Sequence, residues 1–366
     1  MRGRAQRLSG ERVRRGRFLC GVFLALSLVA ASTARPAGLV AQVPDPESFF
    51  GHPLGADRRL ADWGDLVAWY DAVARASERV RVDTVGATTD GRPFIVATIT
   101  SAANHARLDH LREIQQILAD PRRLSSSTER ERLLDEGRAV VLITHGIHST
   151  EVGSTQAAAR LTHRLATSDE SSVRGILDQT VVVQIPSQNP DGTQWITDWY
   201  EQWVDTPYEA APLPWLYHRY VGHDNNRDWY AFTQKETRLV VEHGHNAWRP
   251  QVVHDVHQMG GGGARIFLPP YIDPWEPNVD PALTAAVTRL GTAVAAELIG
   301  QGREGVVVNA IYDAFSPARA YSHYHGGARI LSETASAMLA SPIDVPSETV
   351  RGGRGYDASV ASWNHP

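Results

Sequence analysis

His148 and Glu151 stand three residues apart immediately after the apolar run Ala139-Val-Val-Leu-Ile-Thr144. A strand running into a tight turn and a helix is a rigid support, and an imidazole and a carboxylate at that turn can converge on one metal ion. A further pair lies in Gln251-Val-Val-His254-Asp-Val-His257. Side chains alternate along a strand, so residues 253, 255 and 257 share one face while His254 and Val256 share the other. One histidine should face the site, and His257, at the strand end before Gly260-Gly-Gly-Gly263, is the better ligand. Two nitrogens and one carboxylate leave a position of tetrahedral zinc open, as in catalytic rather than structural sites.

Other residues could work beside such a centre. Glu333 follows the apolar stretch Ala328-Arg-Ile-Leu331 and reads either as a helix N-terminal residue or as a general base. His223-Asp-Asn-Asn226-Arg227-Asp-Trp229 ends in a guanidinium that could fork onto a carboxylate or simply sit in a surface ion-pair cluster. Asn189-Pro-Asp-Gly192 reads as a turn by composition. No Arg or Lys occurs from Gly192 to His218, which leaves Arg219 as the basic candidate in that interval.

The elements that must hold these residues alternate. Leu60 to Arg79 reads as a helix with a broad apolar face, Val80 to Val85 and Pro93 to Thr100 as a hairpin around Thr89-Asp90-Gly91, and Leu108 to Leu118 as a helix. Val140 to Thr144 reads as a buried strand and Gly153 to Leu165 as an Ala-rich helix. Short apolar runs follow at Val181 to Pro186, Gln251 to His257, Arg265 to Leu268, Gly305 to Ala310 and Ala328 to Leu331, with a helix over Pro281 to Ile299. The stretch from Asn189 to Trp229, rich in Trp and Tyr, reads as a long loop. The pattern predicts an α/β fold: one large domain with a mixed, mostly parallel sheet flanked by helices and functional groups at the strand ends.

Seven Arg and one Glu in the first seventeen residues precede the apolar run Phe18 to Ala31. That is the layout of a signal peptide, with cleavage expected after Ala41, and it implies bacterial export to the periplasm or medium. Beyond it are expected a lead segment, 42–58, and a catalytic domain, 59–366, with no stable membrane span. The chain after Ala41 holds 28 basic against 40 acidic residues, near −12, which argues against nucleic acid as a partner. The one cysteine, Cys20, lies in the leader, so the mature chain can form no disulfide.

Taken in order, these segments resemble the zinc metallocarboxypeptidases of the A and B type. That family reads Gly-x-His-x-x-Glu, Asn-Pro-Asp-Gly, Asp-x-Asn-Arg, a strand-end His and a late Glu. Here they stand as Gly146-Ile-His148-Ser-Thr-Glu151, Asn189-Pro-Asp-Gly192, Asp224-Asn-Asn226-Arg227, His257 and Glu333. The early segment Val85-Gly-Ala-Thr-Thr-Asp-Gly91-Arg92 also looks like the family's. The resemblance implies one zinc per chain on His148, Glu151 and His257, with Asp224 behind a ligand histidine. It implies that Asn226 and Arg227 grip the free carboxylate of a peptide or protein C-terminus, and that Glu333 is the base for a zinc-activated water. The digestive members' oxyanion Arg has only Arg219 as its counterpart, and the substrate-closing Tyr is Tyr312, Tyr321 or Tyr324. Arg319, before Glu333, hints at acidic terminal residues. The final Ser362-Trp-Asn-His-Pro366, with no closing helix, suggests a truncated chain. Two alternatives keep the metal: a zinc amidase trimming γ-D-glutamyl cell-wall peptides, and a non-hydrolysing metal- or peptide-binding protein.

Overall fold

The computed structural model describes residues 42–272, 275–311 and 316–346. The leader, Tyr312 and the C-terminal segment fall outside them. Among the described residues ten strands are formed: β1 (Val80–Ala87), β2 (Pro93–Ile99), β3 (Ala139–His145), β4 (Thr180–Ile185), β5 (Val252–Met259), β6 (Ile266–Phe267), β7 (Tyr271–Ile272), β8 (Val306–Val307), β9 (Ala310–Ile311) and β10 (Ala328–Ala335). Eight make one sheet in the order β1-β2-β4-β3-β5-β10-β6-β8, and β7 pairs with β9 in a small ribbon. The centre β4-β3-β5-β10 is parallel, whereas β1-β2, β2-β4 and β10-β6 are antiparallel. The mixed sheet of a single domain is therefore present as expected.

Alternation along each strand divides the core between two faces. Ile95, Ala97, Ile99 and Val182 pack with Trp63, Leu66, Trp69, Tyr70 and Val73 of the helix Trp63–Ala76 and with Ala159 of the helix Val152–Thr167. Phe94, Val96, Leu142, Val181, Val183 and Val253 pack on the opposite face with Leu111 and Ile114 of the helix Leu108–Leu118. Trp69 is fully buried, and Trp69→Ala would cost roughly 3–5 kcal/mol. Gln184, the buried polar group on the first face, accepts from Tyr70 Oη at 2.9 Å and donates to the Ala158 carbonyl at 3.2 Å, so it carries no unmet desolvation cost. The helix Pro281–Gly300 is long and apolar enough to cross a membrane by length and composition alone, yet Leu283, Val287 and Leu290 pack on Phe267, Tyr271 and Ile330.

One expectation is corrected. Asn189 to Trp229 is not a continuous loop, because Pro190–Trp203 is a helix. Asn189 caps it, accepting from Gly192 N at 3.0 Å, and Pro190 occupies the first turn, where a missing N–H costs nothing. Trp195, Trp199 and Trp203 recur every fourth residue along one side of this helix. Strand lengths also differ: β10 runs four residues past Leu331, so Glu333 lies in a strand and not at a helix N-terminus.

Candidate active site

The site lies at the carboxyl ends of β3, β5 and β10, where a parallel sheet presents side chains beyond its last hydrogen bonds. Gly146 opens the turn after β3 at φ +61, and a Cβ there would collide with Thr155 Oγ1. The turn then sets His148 and, at the entry of the helix Val152–Thr167, Glu151. Gly192 is equally constrained: a Cβ would strike the Tyr217 carbonyl and Ser149, so the Asn189 cap, the Ser149 turn and the Tyr217 segment can close together only on glycine.

His148, Glu151 and His257 converge, their ligand atoms all lying within 4.8 Å of one another. His148 Nδ1 is 2.7 Å from Glu151 Oε1, and His257 Nδ1 is 3.2 Å from Glu151 Oε2. Glu151 Oε2 also accepts from Gln258 N at 3.0 Å. The outer nitrogens face carboxylates: His148 Nε2 meets Asp224 Oδ1 at 3.1 Å, and His257 Nε2 meets Asp255 Oδ2 at 3.1 Å. Two imidazoles whose far nitrogens are each held by a carboxylate, with a third carboxylate between them, fit a zinc ion; the outer bonds fix tautomer and ring orientation.

Asp255 is the electrostatic centre of the buried part. It accepts from Thr144 Oγ1 at 2.9 Å and from the Arg329 guanidinium as well as facing His257. Burial pushes its pKa up, but His257 and Arg329 outweigh this and hold it well below the usual range. Burial pushes His257 down, and Asp255 with Glu151 turns the balance well above the ordinary histidine value. His148 follows the same logic: burial lowers it, and the bonds to Asp224 and Glu151 leave it raised. Glu151 and Asp224, each raised by burial, end lowered by the histidines they face.

Glu333 pairs in register with His257 across the parallel β5-β10 ladder, which puts both side chains on one face of the sheet. His254 lies on the other face, with Nε2 2.8 Å from Ser332 Oγ. Asn226 and Arg227 sit in the short 3₁₀ helix Asn225–Tyr230, whose cap Asp224 accepts from Asn226 N at 2.8 Å and so ties that turn to His148. Arg219 stands apart from this group. Its Nη2 and Nε fork onto Asp90 at 2.9 and 3.2 Å, in a cleft whose lining contains none of the three convergent residues. Arg319 is buried with its guanidinium over Tyr271 and Trp275, at 5.3 and 5.1 Å.

Two further residues contribute to the site. Asp255 shares the face of His257 by the same period of two, so its partnership was available from spacing. Tyr217 stacks on His148 at 4.5 Å while its carbonyl accepts from Ser149 Oγ and Asn189 Nδ2, both at 3.1 Å. No local signal marks that contact.

A mixed α/β sheet carrying two histidines and a glutamate at its strand ends makes a candidate mononuclear metal centre. The chain belongs to the zinc carboxypeptidase family, whose model matches residues 66–255. That span holds His148, Glu151, the Asn189 cap and Asp224 to Arg227; His257 and Glu333 lie beyond it. The fold is similar to carboxypeptidase A from Helicoverpa armigera (15% identity, 78% of this chain and 69% of that chain, TM-score 0.53). It is also similar to thrombin activatable fibrinolysis inhibitor (12%, 82% and 70%, 0.52) and to a metallo-carboxypeptidase from Burkholderia cenocepacia (16%, 82% and 65%, 0.51). The chain thus spans about two thirds of the length of these structures. No curated protein sequence matches it.

Proposed function

We propose that the protein is an exported zinc carboxypeptidase that releases the terminal residue from peptides with a free C-terminus. The observation that carries this reading is the convergence of His148, Glu151 and His257 with Glu333 in register beside His257. His148, Glu151 and His257 would hold the metal. Zinc, when bound, supplies a Lewis acid that polarises the scissile carbonyl and lowers the pKa of water.

The chain's own groups do the rest. Asp224 and Asp255 keep the outer imidazole nitrogens protonated, so that each Nδ1 stays a lone-pair donor. Glu333 Oε takes the proton from the attacking water and returns it to the leaving amine, a carboxylate's role as base and then acid. Asn226 and Arg227, on the turn tied to His148 through Asp224, hold the substrate carboxylate, the guanidinium by its two-pronged fork. Export is supported by the basic leader and the apolar run Phe18 to Ala31.

Peptide pairs with free and amidated C-termini test the reading. Arg227→Ala should raise KM for the free-carboxylate member by about 10- to 100-fold, the range for a lost charge-assisted bond, and leave the amidated member unchanged. Equal effects on both members would remove Arg227 from carboxylate recognition.

A further inference from the structure

A second cleft, of about 380 Å³, opens between the helix Pro190–Trp203 and the segment 215–220. Its wall is a tryptophan pair, Trp195 and Trp215, with ring centroids 4.5 Å apart at 51°. Trp215 is 48% exposed, so one indole face is available to a ligand. The charges in the floor are spent on each other: Arg219 forks onto Asp90, and Arg92 Nη1 donates to Asp191 at 3.0 Å. His218 is buried beside them, stacked on Tyr220 at 4.7 Å, and burial pushes its pKa down, so it presents a neutral ring.

The rim is different. Asp198, one helical turn from Trp195, accepts from the Gln194 amide at 2.8 Å and meets no Lys or Arg among the described residues. The pKa of Glu201, one turn further along the helix and outside the cleft lining, is raised by burial first and then by Asp198, Asp62 and Asp65, against the pull of Arg59. Asp198, the lining carboxylate that meets no arginine, beside an open indole face favours a cation, which gains from the π-system and from that negative charge together. A neutral sugar would draw nothing from that charge.

We propose that this cleft binds a cationic side chain, a lysine ammonium or an arginine guanidinium, of the substrate peptide on the N-terminal side of the cleaved bond. The segment that lines the cleft also supports the metal-binding turn, since Tyr217, between Trp215 and His218, stacks on His148. The placement on the substrate rests on the carboxypeptidase reading; the preference for a cation does not.

Acetylated pentapeptides with lysine or its uncharged isostere norleucine, placed in turn at the three positions before the terminal residue, provide the test. Binding is followed by calorimetry on the Glu333→Gln variant, which removes the proposed base, and turnover is followed on the wild-type background. At one position lysine should bind about tenfold tighter than norleucine, a gain of about 1.4 kcal/mol. Asp198→Asn or Trp215→Ala should bring the two peptides within about twofold, as should about 0.5 M salt, while kcat/KM for the norleucine peptides stays unchanged. Equal affinities at all three positions, or a lysine preference that survives both substitutions, would overturn the proposal. So would salt-independent binding of N-acetylglucosamine oligomers lost in Trp215→Ala, which would give the cleft to a glycan. Lysine preference in binding with no cleavage of any peptide would defeat the carboxypeptidase reading and leave the cation site standing.

Discussion

Asp255→Asn preserves shape and removes one charge from the most crowded part of the site. In the wild type that carboxylate faces His257 at 3.1 Å, accepts from Thr144 and receives the Arg329 guanidinium, with both Asp255 and Arg329 buried. The amide can still accept one bond from His257, but the buried Arg329 guanidinium loses the carboxylate charge it donates to at Asp255. Breaking one side of a buried pair costs about 3–5 kcal/mol. At roughly 2–4 °C per kcal/mol for large domains, the metal-free variant should melt about 6–20 °C below wild type. Zinc affinity should fall about 10- to 100-fold, because the imidazole loses the carboxylate behind it. Asp224→Asn is the internal comparison: it also backs a ligand histidine, but its side chain is 28% exposed and faces no buried arginine, so zinc affinity should fall while the melting temperature moves little. Scanning calorimetry of the metal-free proteins and competitive zinc titration give both numbers. A shift under about 2 °C for Asp255→Asn, or equal shifts for the two variants, would refute the assignment of Asp255 as the buried counter-charge.

Histidine substitutions separate the faces of β5: His257→Ala should lose bound zinc and His254→Ala should keep it, as read by metal analysis of the purified proteins, and the reverse would put the site on the wrong side of the sheet. The pH dependence of stability has two limbs. Burial holds His145 and His245 down to about 3 and His254 and His323 down to about 4, so the unfolded chain binds more protons than the folded one below about pH 6.5, and stability falls with acidification by up to about 1.4 kcal/mol per unit for each group. His148 and His257 are raised, so the stability they contribute is present below about pH 6.5 and is lost as pH climbs through their folded values. Metal-free protein should therefore melt highest near pH 6.5, and a melting temperature that rises steadily to pH 8 would contradict the account. Zinc affinity should rise over the same range, since the ligand histidines must shed protons to bind.

Much of the site was legible because strand geometry is periodic. The alternation in Gln251 to His257 put the two histidines on opposite faces, the strand-end position pointed to His257, and the register with β10 places Glu333 on the same face. The same alternation carried Asp255 to that face, but its significance depends on Arg329, more than seventy residues away, and on the pairing of two strands. Asn-Pro-Asp-Gly misled because the composition that makes a turn also makes a capped helix start; the tryptophans at every fourth residue were the signal for the helix. Tyr217 against His148 is a contact between distant segments brought together at Gly192, and nothing in the local pattern near residue 217 encodes it.

The most direct test measures bound zinc and release of C-terminal amino acids from a mixed peptide pool, for the protein and its Glu333→Gln variant side by side. The account predicts close to one zinc per chain in both and release by the wild type alone. Folded protein that takes up no zinc, or a Glu333→Gln variant that releases residues as fast as wild type, would contradict it.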